Sequence, residues 1–107
     1  MTKKIGFIGG GNMAEGIIKG LIASQTREAS EILVKEVLAK RAEYLKNTYQ
    51  LVTVDTYEEL TQADILVIAV RPQDAKKVSE ELSHYVDAGR HVIASICAGI
   101  QIPQFVQ

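Results

Sequence analysis

At 107 residues the chain has room for one domain with its own core, burying about 60–70% of the surface its unfolded chain exposes, and not for two. Its 47% hydrophobic and 23% charged residues are those of a globular protein and exclude the disordered and collagen-like classes. A formal net charge of -1 leaves no basic stripe for nucleic acid or an anionic membrane, so small molecules and other subunits are the expected partners.

Along the chain, apolar runs suited to buried strands alternate with segments of helical period. A strand over 4–8 leads to a helix over 12–24, then a strand over 31–35 and a helix over 38–46. The series continues with a strand over 51–54, a short helix over 57–62, a strand over 65–70, a helix over 73–85 and a strand over 91–96. Alternation with short connections predicts right-handed βαβ crossovers, hence an α/β fold: a doubly wound parallel sheet in a single domain, with helices on both faces. The run "DILVIAV" is apolar throughout, as a strand buried on both faces should be. After Gly99, Pro103 suits the first turn of a further helix whose apolar face would begin at Phe105 and Val106. Residues 1–100 therefore read as the folded domain and 101–107 as the start of a connection, the expectation being the amino-terminal part of a longer polypeptide.

Between the first strand and the first helix stands "IGFIGGGNMAEGIIKGL", with three consecutive glycines. Glycine loses more backbone freedom on folding than any other residue, so this stretch must need bare backbone. Gly9, Gly11 and Ala14 match G-x-G-x-x-G/A at the strand-to-helix junction where that pattern has a mechanism. The first glycine permits a tight turn, the second lets backbone approach a pyrophosphate, and the small third residue lets helix and strand pack closely. The phosphates then rest on the unpaired N–H groups and positive dipole end of the helix. Gly10 is free by this pattern and keeps the loop narrow. Gly16 and Gly20, one helical turn apart, read as allowing close contact between helix and sheet. Glu36 follows the second predicted strand, 22 positions past Ala14, where a carboxylate accepts hydrogen bonds from an adenosine ribose; the plainer reading is a solvated charge at a helix start. Together these features predict a Rossmann-type dinucleotide fold.

Other features exclude more than they assign. No apolar stretch approaches a membrane span, and the glycines and Asn12 interrupt any signal-peptide core after Lys3 and Lys4, so the chain reads as cytoplasmic. Cys97 is the single cysteine, and His84 and His91 are the two histidines, which rules out an internal disulfide and offers no metal-ligand spacing. Both histidines read as surface residues. Thr56 reads as the cap of the third helix, and Lys76–Glu80 and Lys77–Glu81 as i,i+4 pairs on an exposed face.

Taken with "ADILVIAVRPQ" and "VIASICAGI", the glycine segment makes the chain resemble pyrroline-5-carboxylate reductase over essentially its whole length. The resemblance implies the Rossmann-type domain of an enzyme that reduces 1-pyrroline-5-carboxylate to proline by hydride transfer from NAD(P)H, the chain ending before a helical second domain that builds a homo-oligomer. It implies that Gly9, Gly11, Asn12, Met13 and Ala14 line the pyrophosphate loop, and that Val70, Arg71 and Pro72 border the cofactor after the fourth strand. Cys97, Ala98 and Gly99 would lie near the nicotinamide, with Cys97 a small packing residue and not a nucleophile. Arg71 stands where the family usually has lysine; it reads either as a phosphate contact or as a surface arginine. After the second strand the family commonly shows a polar run suited to a 2′-phosphate, whereas this chain has "VKEVLAKR". Glu36 would repel that phosphate, while Lys35, Lys40 or Arg41 would attract it, which leaves both NADP(H) and NAD(H) open. No residue here reads as a general acid, and the chain alone is expected to bind dinucleotide with negligible turnover. Two other readings stand beside this one: a non-catalytic dinucleotide-sensing or interaction module, and a related dehydrogenase of another small substrate.

Overall fold

In a computed structural model of the chain, residues 3–87 and 89–96 are described. Five strands, β1 (Ile5–Ile8), β2 (Ile32–Lys35), β3 (Val52–Thr53), β4 (Ile65–Ile68) and β5 (Val92–Ser95), alternate with four helices. The helices are α1 (Asn12–Ala23), α2 (Ala39–Tyr49), α3 (Tyr57–Leu60) and α4 (Pro72–Leu82). The predicted alternation is observed throughout, with one addition: a 3₁₀ turn at Ala29–Glu31 that leads into β2. The expected segments 97–99 and 101–107 lie outside the described residues.

All strand pairs are parallel, in the order β3-β2-β1-β4-β5. The chain winds outward from β1 to β3, then returns to the other side of β1 for β4 and β5, so the winding reverses between β1 and β4. Period-2 alternation sorts the strand side chains into two cores. Ile5, Phe7, Ile32, Val34 and Val67 pack with Ala14 and Ile18 of α1 and Leu45 of α2. On the opposite face Ile8, Leu33, Leu66 and Ile68 pack with Leu60 of α3 and Leu82 of α4. Strands β1, β2 and β4 are thus covered on both faces, which is why they are apolar at successive positions, whereas the edge strand β5 is exposed along its length. Full burial of side chains such as Phe7, Ile18 and Leu66 contributes about 1.5–3 kcal/mol each.

Helix boundaries follow local chemistry. Thr56 caps α3 as expected, its hydroxyl accepting from the Glu59 N–H at 3.1 Å. Pro72 occupies the first turn of α4 and leaves Arg71 extended, at φ -64° and ψ 151°. The expected role of Gly16 and Gly20 is not met. Both lie on the exposed face of α1, and a Cβ on either meets nothing within 4 Å. Ala14 and Ile18 make the contact with the sheet instead, since the apolar stripe of α1 is out of phase with the glycine pair. Close approach occurs at Gly6, where a Cβ would come within 2.9 Å of Leu60 Cδ1. On α4, Lys76, Lys77, Glu80 and Glu81 are exposed as predicted, but the ion pairs found among the described residues involve other groups, and Glu81 accepts a hydrogen bond from the Tyr57 hydroxyl.

Candidate dinucleotide-binding site

The winding reverses between β1 and β4, and open α/β sheets bind ligands beyond the carboxyl ends of the strands at such a switch point. Two loops meet there: Gly9–Gly11, entering α1, and Ala69–Arg71, entering α4. Backbone pairing holds them in register, with Gly9 N–H donating to the Lys35 carbonyl at 2.9 Å and Ala69 N–H to the Ile8 carbonyl at 2.8 Å.

The three glycines have three different structural reasons. Gly9 has φ +97°, a conformation L side chains rarely adopt, and a Cβ there would sit 2.3 Å from the Ala69 carbonyl oxygen and 3.1 Å from Val70 Cγ1. Gly10 is not free: it is buried, and a Cβ would come within 2.6 Å of Leu45 Cδ1 of α2 and 3.3 Å of Glu36 Oε1. At Gly11, by contrast, a Cβ meets nothing within 4 Å among the described residues. It is the N-cap of α1, extended and without a side-chain cap, and Asn12 and Met13 after it are exposed. Ala14 is fully buried against the sheet, as the small third position requires.

Glu36 stands at the end of β2 and bridges two backbone segments. Its Oε1 accepts from the Gly10 N–H at 2.7 Å and its Oε2 from the Leu38 N–H at 2.8 Å. Neither the glycine pattern nor the spacing of Glu36 foretold this contact with the loop. Lys35 lies elsewhere, its Nζ 4.5 Å from the centroid of the Tyr57 ring. Arg71 is largely exposed and its Nε donates to Asp74 Oδ2 at 3.0 Å. Val70 is half-buried beside Gly9. Cys97, Ala98 and Gly99 lie outside the described residues.

A polar cluster that the sequence reading missed joins the first turn of α1 to α2. Glu15 Oε1 accepts from Arg41 Nη2 at 2.7 Å, while its Oε2 accepts from the hydroxyls of Tyr44, at 2.7 Å, and Tyr49. Arg41 Nε also donates to the Gly10 carbonyl. Arg41, Leu45 and Tyr49 recur every fourth residue and so share the α2 face turned toward α1, a periodic signal that was present in the sequence. The hydrogen bonds from Tyr49 and Tyr44, followed by Arg41, hold the Glu15 carboxyl down at about 2. The same carboxylate, with desolvation second, pushes the Tyr49 phenol up to about 12. Sharing Arg41 and Tyr44 with this cluster, an open groove of about 520 Å³ also runs along Leu38, Ala39 and Lys40 at the start of α2.

His91, read as a surface residue, is half-buried and bridges two segments. Its Nδ1 accepts from the Asp87 N–H at 2.9 Å, which leaves Nε2, 2.9 Å from the Thr61 carbonyl, as the donor. Among the described residues, no helix is long and apolar enough to cross a membrane.

Comparison with known proteins agrees with this geometry. The chain is 39% identical over 103 residues to a pyrroline-5-carboxylate reductase of Synechocystis, an alignment covering 95% of this chain and 38% of that protein. A solved pyrroline-5-carboxylate reductase from Coxiella burnetii superposes with a TM-score of 0.83 at 32% identity, over 96% of this chain and 38% of that one. A pyrroline carboxylate reductase of Plasmodium falciparum, solved with NADP bound, superposes with a TM-score of 0.74 at 25% identity, over 95% of this chain and 36% of that one. The chain thus spans less than two-fifths of the length of these relatives. The sequence model of the family described as NADP oxidoreductase, coenzyme F420-dependent, matches residues 4–99, and with the parallel sheet and its glycine loop this establishes that the chain belongs to that family.

Proposed function

We propose that this chain is the dinucleotide-binding part of an oxidoreductase that reduces 1-pyrroline-5-carboxylate to proline with hydride from NAD(P)H. The observation that carries the reading is the contrast among the glycines: Gly9 and Gly10 are required by their own neighbours, whereas among the described residues nothing comes within 4 Å of a Cβ at Gly11. Bare backbone at an exposed, uncapped helix N-terminus suits an anionic group resting on the first-turn amides. The residues present therefore fit a pyrophosphate.

In this reading Gly9, Gly11, Asn12, Met13 and Ala14 form the pyrophosphate loop and Glu36 stands toward the adenosine ribose, while Lys35 before it lies over the Tyr57 ring. Val70, Arg71 and Pro72 border the opposite wall, and Cys97, Ala98 and Gly99 would complete the nicotinamide end. When bound, the reduced nicotinamide supplies hydride to the imine carbon. The role of this chain is to hold and orient, and turnover belongs to the whole protein. The substrate assignment is supported by the named relatives, all of them pyrroline carboxylate reductases that align over nearly the whole of this chain.

The test is an equilibrium titration of the chain with NADH and with NADPH, repeated on Gly11→Val. Saturable binding that the substitution abolishes, with the circular dichroism spectrum unchanged, is the expected result. Absence of binding up to millimolar cofactor, or binding that Gly11→Val leaves undiminished, would overturn the assignment.

A further inference from the structure

In this fold the residue at the end of the second strand meets the adenosine ribose, so the groups near it decide between a 2′-hydroxyl and a 2′-phosphate. A hydroxyl can donate a hydrogen bond; a phosphate monoester brings about -1.5 to -2 charges and only acceptors. Glu36 holds that position. Each of its oxygens takes one backbone N–H, from Gly10 and from Leu38, and each keeps lone pairs that can accept from a hydroxyl. Tied at both oxygens, this carboxylate cannot swing away from an incoming phosphate without releasing the glycine loop.

The cations that would offset its charge are engaged elsewhere. Lys35 lies over the Tyr57 ring. Arg41 is bound to Glu15 and to the Gly10 carbonyl, and Glu15 is itself fixed by Tyr44 and Tyr49. Lys40, exposed at the start of α2, is the one basic side chain of "VKEVLAKR" that none of these contacts engages. A single mobile ammonium on the surface contributes little against a fixed carboxylate.

Resting on the dinucleotide-binding reading above, we propose that this site selects NAD(H) over NADP(H). Glu36 is the specificity-determining residue, and Glu15 is a positioning residue that keeps Arg41 from a 2′-phosphate. The preference departs from the NADP named for the family.

The test measures dissociation constants of NADH and NADPH for the full chain, for Glu36→Gln and for Glu15→Gln, and reads the ratio of the two constants. The unmodified chain should bind NADH at least about tenfold more tightly, a conservative figure for like charges brought together at a partly solvated site. Glu36→Gln should lower that ratio by about tenfold, and Glu15→Gln should lower it several-fold by tightening NADPH relative to NADH. Because Glu36→Gln also disturbs the loop, adenosine 2′,5′-bisphosphate and ADP are compared as competitors on the unmodified chain, where ADP should displace NADH at the lower concentration. Equal or tighter binding of NADPH, or a preference for the bisphosphate, would overturn the selectivity while leaving the dinucleotide site standing. A Glu15→Gln ratio identical to that of the unmodified chain would overturn the positioning role. Failure of both cofactors to bind would remove the dinucleotide reading itself, and this inference with it.

Discussion

Glu15 in the first turn of α1 and Arg41 in the first turns of α2 form a 2.7 Å ion pair whose side chains are only 16% and 24% exposed. The pair couples the helix that leaves the glycine loop to the helix packed on top of that loop. Tyr44 and Tyr49 complete the coupling, so the lone pairs of one carboxylate organise three side chains of α2.

That arrangement predicts an acid-side loss of stability. Glu15 is held at about 2 against an ordinary value of 4.5, chiefly by the hydrogen bonds from Tyr49 and Tyr44. A carboxyl depressed in the folded state stabilises fully above its unfolded value, and the contribution is lost as pH falls from about 4.5 through about 2. Urea midpoints followed from neutral pH into that window should fall more steeply for the unmodified chain than for Glu15→Gln. The Tyr49 phenol, at about 12 in the presence of this carboxylate, should titrate nearer 10 in the variant when tyrosinate absorbance is read. Parallel pH profiles would show that the cluster does not form in solution.

The three loop glycines should separate in a denaturation series. Gly9→Ala forces a positive φ on a side chain and a clash with the Ala69 carbonyl, and we predict a loss of about 2 kcal/mol or more. Gly10→Ala pushes against Leu45 and should lose about 1–3 kcal/mol as an overpacked site. Gly11→Ala should stay within about 0.5 kcal/mol of the unmodified chain, because no described residue comes within 4 Å of the new methyl group. A Gly11→Ala loss as large as either of the other two contradicts the geometry of the loop.

Gly16→Ala and Gly20→Ala should each raise stability by about 0.5–1 kcal/mol. Both positions lie inside α1, exposed, and beyond the helix's own backbone no described residue comes within 4 Å of the added Cβ, so the main change is in the backbone entropy of the unfolded chain. Thermal melting of the two single variants is the check, and a lowered Tm would mean that this face is packed.

His91→Ala should lower stability by about 1–2 kcal/mol, because it removes partners of the Asp87 N–H and the Thr61 carbonyl together. Substituting the exposed His84 in the same way should leave the urea midpoint within about 0.5 kcal/mol of the original.

Much of this protein was legible in the chain alone because the interactions concerned are local. Alternating apolar runs named the strands and helices in order, Thr56 marked the start of α3, and Gly9, Gly11 and Ala14 announced the strand-to-helix turn. The outward phase of Gly16 and Gly20 was also there to be read, in the spacing of Ala14 and Ile18. Tertiary structure alone decided the strand order β3-β2-β1-β4-β5, and with it the point where the winding reverses. It also decided that Gly10 is held between Leu45 and Glu36, and that Glu15 meets Arg41 and Tyr49 from 26 and 34 positions away. Contacts of this kind require side-chain atoms to come within about 3 Å. That separation depends on how two helices pack on one sheet, and the residue types admit many pairings until the packing selects one.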